Sequence, residues 1–148
     1  MLNPQTLTKE NFSKFGAYVA QPPEQEISAS GDYHSYWHDI FAGKFGCDDL
    51  VSGLLQIRKQ PLEFHTFERH IKYGEIFTCL NGEGVLALVP PGEDPKAEDI
   101  EYFAIKPGDC VFLKQGVWHC LPVPTTDEIN FVLMIPNPIL SDLDFREL

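Results

Sequence analysis

From Val51 onward the chain is a succession of short apolar runs, each closed by Gly, Pro, Asn or Asp, and this limits its fold more than any other feature. The runs fall at 51–58, 62–70, 75–80, 84–89, 100–105, 110–113, 117–123 and 129–135. A turn signal recurs about every 8–12 residues, the pattern of an all-β sandwich or barrel. Asn81-Gly82 is a tight-turn pair between two of the runs. The segment 90–96 holds Pro90, Pro91 and Pro95, so it is an exposed loop and not a central strand. Ahead of the strands, Thr8 is placed to cap a short helix over 9–15, with Asn11 three residues on and Gly16 ending it. The polar stretch 22–35 reads as loop with one strand. Beyond Ile135, Pro136 and Pro138 stop the sheet, and the acidic tail becomes an edge or a short arm. The expected layout is one domain over 1–148: helix and arm in 1–50, barrel core in 51–135, tail in 136–148. Phe64, Leu80, Leu86, Leu88, Phe112, Phe131 and Leu133 are expected to fill the core.

Composition narrows the function. Twenty-two Asp and Glu stand against 11 Lys and Arg, a net charge of −11. Nucleic acid and anionic membrane surfaces are poor partners for such a chain, because phosphate binding needs clustered cations. A chain of 148 residues buries roughly two-thirds of its unfolded surface and needs no disulfide staples. Cys47, Cys79, Cys110 and Cys120 show no CxxC spacing, so they are expected as reduced, partly buried thiols in a cytoplasmic protein. The start lacks the pattern of a signal peptide, and no stretch approaches about 18 apolar residues.

The chemistry rests on histidines. His34, His38, His65, His70 and His119 are the five. Along a strand at 62–70, side chains alternate, so Leu62, Phe64, Thr66, Glu68 and His70 share one face and Glu63, His65, Phe67 and Arg69 the other. The first face is mostly apolar until Glu68 and His70, which would point into a barrel mouth. Glu75 follows across a turn containing Gly74, and Gly108-Asp109, Gly116 and His119 come later. Two histidines and two carboxylates converging would make a metal or catalytic site. The alternative is a hydrogen-bonded polar plug, which is disfavoured because buried carboxylates are seldom left unpaired.

His70-x4-Glu75-x6-Gly82 resembles the second half of the first cupin motif, and Gly108-x7-Gly116-x2-His119 resembles the second. The resemblance implies an all-β cupin fold, a double-stranded β-helix of the jelly-roll type, here with a short N-terminal helix. It also implies a divalent metal, with His70, Glu75 and His119 matching three of the ligands. The first His of the pattern falls on Glu68, a carboxylate that still suits a borderline or hard ion. Nitrogen and carboxylate donors fit Ni, Zn, Mn or Fe, and the resemblance leans toward Ni. The Pro usual before the second Gly is Lys114.

A narrower likeness covers most of the chain. Leu7-Thr8-Lys9-Glu10-Asn11-Phe12 with Gly16, Tyr36-Trp37-His38-Asp39-Ile40, Glu68-Arg69-His70, Phe77-Thr78-Cys79-Leu80-Asn81-Gly82 and Val117-Trp118-His119 resemble, in order and spacing, the ureidoglycolate lyase family of cupins. The chain departs from it in four places. His119-Cys120-Leu121 stands for His-His-Pro, Lys114 for a His, Glu75 for a frequent Gln, and an apolar residue near Leu54 for an Arg. The resemblance implies cleavage of ureidoglycolate to glyoxylate and urea, in purine and allantoin degradation. His119, Glu68, His70 and Lys114 are then the catalytic candidates, with Glu68 either a fourth metal ligand or the base. A small anionic substrate in an acidic protein calls for a cation, and Lys114, Arg69 and Lys72 are the candidates. Two alternatives stand beside this: a metal-dependent isomerase or dioxygenase acting on another small acid, and a non-catalytic cupin that binds a small ligand. A homodimer is expected through the face carrying His65, Phe67 and Arg69, with Arg69 otherwise open to a salt bridge or to substrate. Trp118 is expected in core or interface, and His38 either closes over the site or lies at the surface beside Asp39.

Overall fold

A computed structural model describes residues 2–19, 23, 26–38 and 42–148. Asp39 and Ile40 of the aromatic-His-Asp segment, and the start of the 22–35 stretch, lie outside the described residues. In chain order the elements are β1 (Gln5–Thr6), α1 (Lys9–Phe12), β2 (Gly16–Val19), β3 (Ala29–Gly31), β4 (His34–Tyr36), β5 (Leu50–Arg58), β6 (Thr66–His70), β7 (Glu75–Asn81) and β8 (Gly84–Val89). They continue with β9 (Glu101–Ile105), β10 (Cys110–Leu113), β11 (Trp118–His119), β12 (Val123–Pro124), β13 (Glu128–Pro136) and β14 (Leu143–Glu147).

Two sheets face each other. One runs β2-β10-β7-β13-β5; the other runs β1-β9-β8-β11-β6-β14, with β12 also paired to β8. From β5 to β13 the chain changes sheet at most connections; β8–β9, which pair as a hairpin, and β11–β12 stay within one sheet. This alternation is the double-stranded β-helix of a jelly roll, so the fold is the all-β cupin architecture. The core lies between the sheets. Phe77, Val111, Ile129 and Phe131 come from one side and Leu86, Leu88, Phe103 and Ile105 from the other, closed at one end by Phe12 and Phe15.

α1 is a single turn, shorter than the expected 9–15. Its cap is as expected: Thr8 Oγ1 accepts from the Asn11 N–H at 3.2 Å, and Asn11 Oδ1 accepts from the Thr8 N–H at 2.9 Å. Gly16 does not end the helix; it opens β2 at φ +154°, where a Cβ would stand 1.8 Å from the Phe112 carbonyl oxygen. Asn81-Gly82 does turn the chain, with Gly82 at φ +74°, but the strands it joins belong to opposite sheets and form no hairpin.

The expected strand at 62–70 begins only at Thr66. Pro61 precedes it, and the Glu63 N–H turns back to the Pro61 carbonyl at 2.9 Å. Leu62 and Thr66 are exposed, and within β6 both faces are covered: His70 is buried on the even-numbered side, and Phe67 and Arg69 are buried on the odd-numbered side. Phe67 and Arg69 pack with Ala87, Val89, Trp118 and Cys120 in a second cluster outside the sheet. The 90–96 loop and β14 close it over. The Arg69 guanidinium lies 4.5 Å from the Trp118 ring centre, with Arg146 at 5.4 Å. It donates to the Gly92 carbonyl at 2.8 Å and pairs with Asp144 at 2.9 Å and Glu93 at 3.1 Å. The face expected to meet a second copy is therefore covered by the chain itself, with only His65 of that set exposed. Trp118 is core, its Nε1 donating to the Gly92 carbonyl at 2.9 Å.

Two expected core residues lie elsewhere. Leu80 is half-exposed at the end of β7, where the register with β13 shifts at Asn130/Phe131. Phe64 is only partly buried, against the second cluster. The run 117–123 is split into β11 and β12, and the acidic tail is an edge strand, β14 pairing with β6.

Candidate active site

Three adjacent elements of the inner face deliver the four residues. β6 carries Glu68 and His70 at alternate positions, β7 opens with Glu75, and β11 ends with His119, which is paired with Glu68 across the sheet. His119 Nε2 lies 3.0 Å from Glu75 Oε1 and 3.5 Å from Glu68 Oε1; His70 Nε2 lies 3.8 Å from Glu75 Oε1. Thus Glu68, His70, Glu75 and His119 are brought together as expected. His70, Glu75 and His119 are buried, while the Glu68 side chain is 25% exposed and opens toward solvent. Phe77 packs edge-on against the His119 ring, with centroids 6.3 Å apart.

Backbone carbonyls orient both imidazoles. His70 Nδ1 lies 3.1 Å from the Asp142 carbonyl, and His119 Nδ1 lies 3.1 Å from the Val117 carbonyl. A carbonyl can only accept, so each Nδ1 carries the hydrogen and each neutral ring turns its Nε2 lone pair toward the carboxylates. Glu75 Oε1 is then buried with no hydrogen-bond donor. That arrangement is repulsive until a positive charge enters it. A proton on His119 Nε2 is one such charge. Burial works against it, but Glu75 and Glu68 outweigh burial and push the His119 pKa up to about 10. Hydrogen bonding to His119 in turn holds the Glu68 carboxyl below its usual range, against the opposing effect of burial.

A divalent cation is the other charge that fits. One donor atom each from Glu68, His70 and His119 lie within 4.8 Å of one another. Imidazole nitrogens with preset tautomers and an orphaned buried carboxylate oxygen suit a borderline divalent ion. The donor set does not discriminate among Ni, Zn, Mn and Fe.

The other candidates stand apart. Lys114 sits on the turn after β10, its backbone N–H bonded to the Phe15 carbonyl at 3.0 Å, and its side chain makes none of the cluster's ion pairs. Arg69 is spent on the second cluster. Lys72 is exposed in the loop between β6 and β7, where its N–H bonds Asp142 Oδ2 at 2.6 Å. His38 belongs with the exposed β3–β4 hairpin, its Nδ1 3.0 Å from the Tyr36 hydroxyl. All four cysteines are free thiols. Burial, the leading cause, pushes Cys79 up to about 11 and Cys120 up to about 12, which makes both unreactive.

Glu68 opens onto a surface pocket of about 370 Å³, whose wall includes Gln60, His65, Leu121 and Phe145. Neither this wall nor the two orienting carbonyls follow from the sequence. Phe145 reaches the pocket because β14 pairs it opposite Glu68, and the Asp142 carbonyl arrives on the same tail. A backbone carbonyl leaves no mark in the letters of a sequence.

The comparisons with known proteins give the family. The family model "Ureidoglycolate lyase" matches residues 1–147. The chain belongs to the ureidoglycolate lyase family. It is 24% identical over 134 residues to the ureidoglycolate lyase of Chelativorans sp. (strain BNC1), covering 88% of this chain and 81% of that protein. It is likewise 24% identical over 139 residues to the ureidoglycolate lyase of Azotobacter vinelandii, covering 90% and 84%. Among solved structures it is similar to Bacillus subtilis oxalate decarboxylase, with a TM-score of 0.47 and 12% identity over 68% of this chain and 24% of that one. It is also similar to procruciferin of Brassica napus, with a TM-score of 0.45 and 12% identity over 67% and 22%. It therefore spans about a quarter of the length of either chain. Among the described residues, no helix of this family member is long and apolar enough to cross a membrane.

Proposed function

We propose that this chain cleaves ureidoglycolate to glyoxylate and urea, with His70, Glu75 and His119 holding a divalent metal and Glu68 as the base. The supporting observation is the buried Glu75 Oε1, which faces two imidazole Nε2 atoms and needs a positive charge, a proton or a metal, beside it in a chain of this family. When bound, the metal would polarise the substrate's hydroxyl and lower its pKa. Ureidoglycolate carries that hydroxyl and the ureido nitrogen on one carbon. Breaking the carbon–nitrogen bond turns the C–OH into the aldehyde of glyoxylate and releases urea. The hydroxyl proton must leave and a proton must reach the departing nitrogen, so no net proton is consumed. Glu68 suits both transfers: its carboxyl is held ionised, it is the exposed member of the cluster, and the oxygen that gives the proton and the nitrogen that receives it are bonded to the same carbon. His70 and His119 stay fixed by their Nδ1 hydrogen bonds, and Phe77 covers the inner side against water.

The test is incubation of the purified protein with racemic ureidoglycolate, following glyoxylate and urea together. Equal release of both is expected. Glu68→Gln should lower kcat about 10²-fold or more while keeping the metal. Glu75→Gln should lose the metal. Absence of turnover in the parent protein after loading with Ni, Zn, Mn and Fe in turn would remove the substrate assignment.

A further inference from the structure

The row of side chains that carries the site runs on past it to the edge of the sheet. Leu88 on β8, His119 on β11, Glu68 on β6 and Phe145 on β14 are successive partners across the strands, so they share the inner face. Directly opposite neighbours in an antiparallel pair hold their Cβ atoms about 4.5–5.5 Å apart. Leu88 ends the row inside the core, whereas Phe145 ends it half-exposed, on the wall of the pocket onto which Glu68 opens. The neighbours of Phe145 in β14 turn the other way: Asp144 pairs with Arg69, and the Arg146 guanidinium lies 5.4 Å from the Trp118 ring centre. The inward positions carry Leu143 opposite His70 and Phe145 opposite Glu68. An edge strand is commonly guarded by charge on its open side. Here an aromatic ring stands in that place, beside a carboxylate, with half of its surface left in water. Packing within the chain therefore accounts for only part of the residue.

We propose that Phe145 binds substrate directly, the flat ureido group stacking on its ring, so that the C-terminal strand selects the leaving group; this rests on the cluster being the centre that cleaves ureidoglycolate with Glu68 as its base. A substrate that gives its proton to Glu68 lies within about 2.6–3.2 Å of that carboxylate. Glu68 has two inner-face neighbours in its row. His119 is 3% exposed and closed off behind it, so the part of the substrate that extends into the pocket lies over Phe145. The hydroxyl and carboxylate are the groups with affinity for a divalent ion, which leaves the ureido group on the Phe145 side. That group is planar, because both nitrogens conjugate with the carbonyl. Its donors and acceptors lie in the plane and its two faces carry none, so a face gains more against a ring than in water. Gln60 and His65 stand on the same pocket wall, where they can meet the polar edge of the stacked group. A saturated amine offers no such face. The ring thereby discriminates by leaving group, while Glu68 acts on the carbon that all hemiaminals share.

Steady-state kinetics and product inhibition on the metal-loaded protein decide this, with circular dichroism and metal content as checks on the variants. Phe145→Leu keeps the apolar bulk and removes the ring. It should raise KM for ureidoglycolate about 10-fold with kcat little changed, the signature of lost binding shared by ground and transition states. Urea, the leaving group, should inhibit this variant more weakly than the parent by a similar factor, while inhibition by glyoxylate stays as in the parent. Phe145→Tyr keeps the ring face and should bring KM back toward the parent value. If the parent releases glyoxylate and urea but Phe145→Leu leaves both KM and urea inhibition unchanged, the proposal is overturned and the lyase activity stands. Equal weakening of urea and glyoxylate inhibition, or loss of the metal, makes Phe145 a structural residue and also overturns it. A parent with no turnover removes the lyase activity itself, and the role of Phe145 with it.

Discussion

At the scale of single residues, the site is a balance of charge. His119 sits between Glu75 and Glu68, and its Nδ1 is committed to the Val117 carbonyl. Its pKa stands at about 10, above the ordinary 6.5. A raised pKa adds stability that is fully present below about 6.5 and lost as pH rises through about 10. Thermal melts of metal-free protein should therefore fall across that interval, and His119→Gln should flatten the slope. A metal ion competes for the same Nε2, so its affinity should rise with pH as the proton is displaced, which calorimetry in buffers of different ionisation enthalpy will detect. His119→Ala should reduce turnover about 10²-fold or more with the fold retained. The carbonyl side of this balance was hidden in the sequence, because Val117 and Asp142 act through their backbone and not through their side chains.

At the scale of elements, β6 shows why alternation is legible and burial is not. The period of two placed Glu68 and His70 on one face correctly. That the opposite face is dry as well depended on what packed over it. The 90–96 loop and β14 cover Phe67 and Arg69, and neither element's position is written in the 62–70 run. Arg69 has a 7% exposed side chain and pairs with Asp144. Arg69→Ala would leave Asp144 without that partner and remove the layer over Trp118. Denaturant unfolding should show a loss of about 2–4 kcal/mol, with kcat preserved because the residue faces away from the site. Gly16 makes the same point from the backbone. A Cβ there would meet the Phe112 carbonyl oxygen at 1.8 Å, so Gly16→Ala should destabilise the β2–β10 pairing, seen as a lowered Tm. The sequence marked Gly16 as special but for the wrong reason, because its constraint comes from a strand nearly a hundred residues away.

At the scale of the whole molecule, metal and fold are coupled. An ion that binds only the folded state stabilises it by mass action, so a chelator should lower the Tm of the metal-loaded protein and readdition should restore it. The regular spacing of short apolar runs between turn residues required an all-β fold, since no run is long enough for a packed helix. The His, Glu and Gly spacings brought the cupin arrangement and the four clustered side chains within reach of the sequence, because strand alternation and glycine-dependent turns are local. The tertiary structure alone decided what covers the outer side of β6, which carbonyls hold the imidazoles, and that Lys114 stays out of the cluster. Each of these depends on contacts between segments far apart in the chain, and no local pattern of residues encodes such a contact.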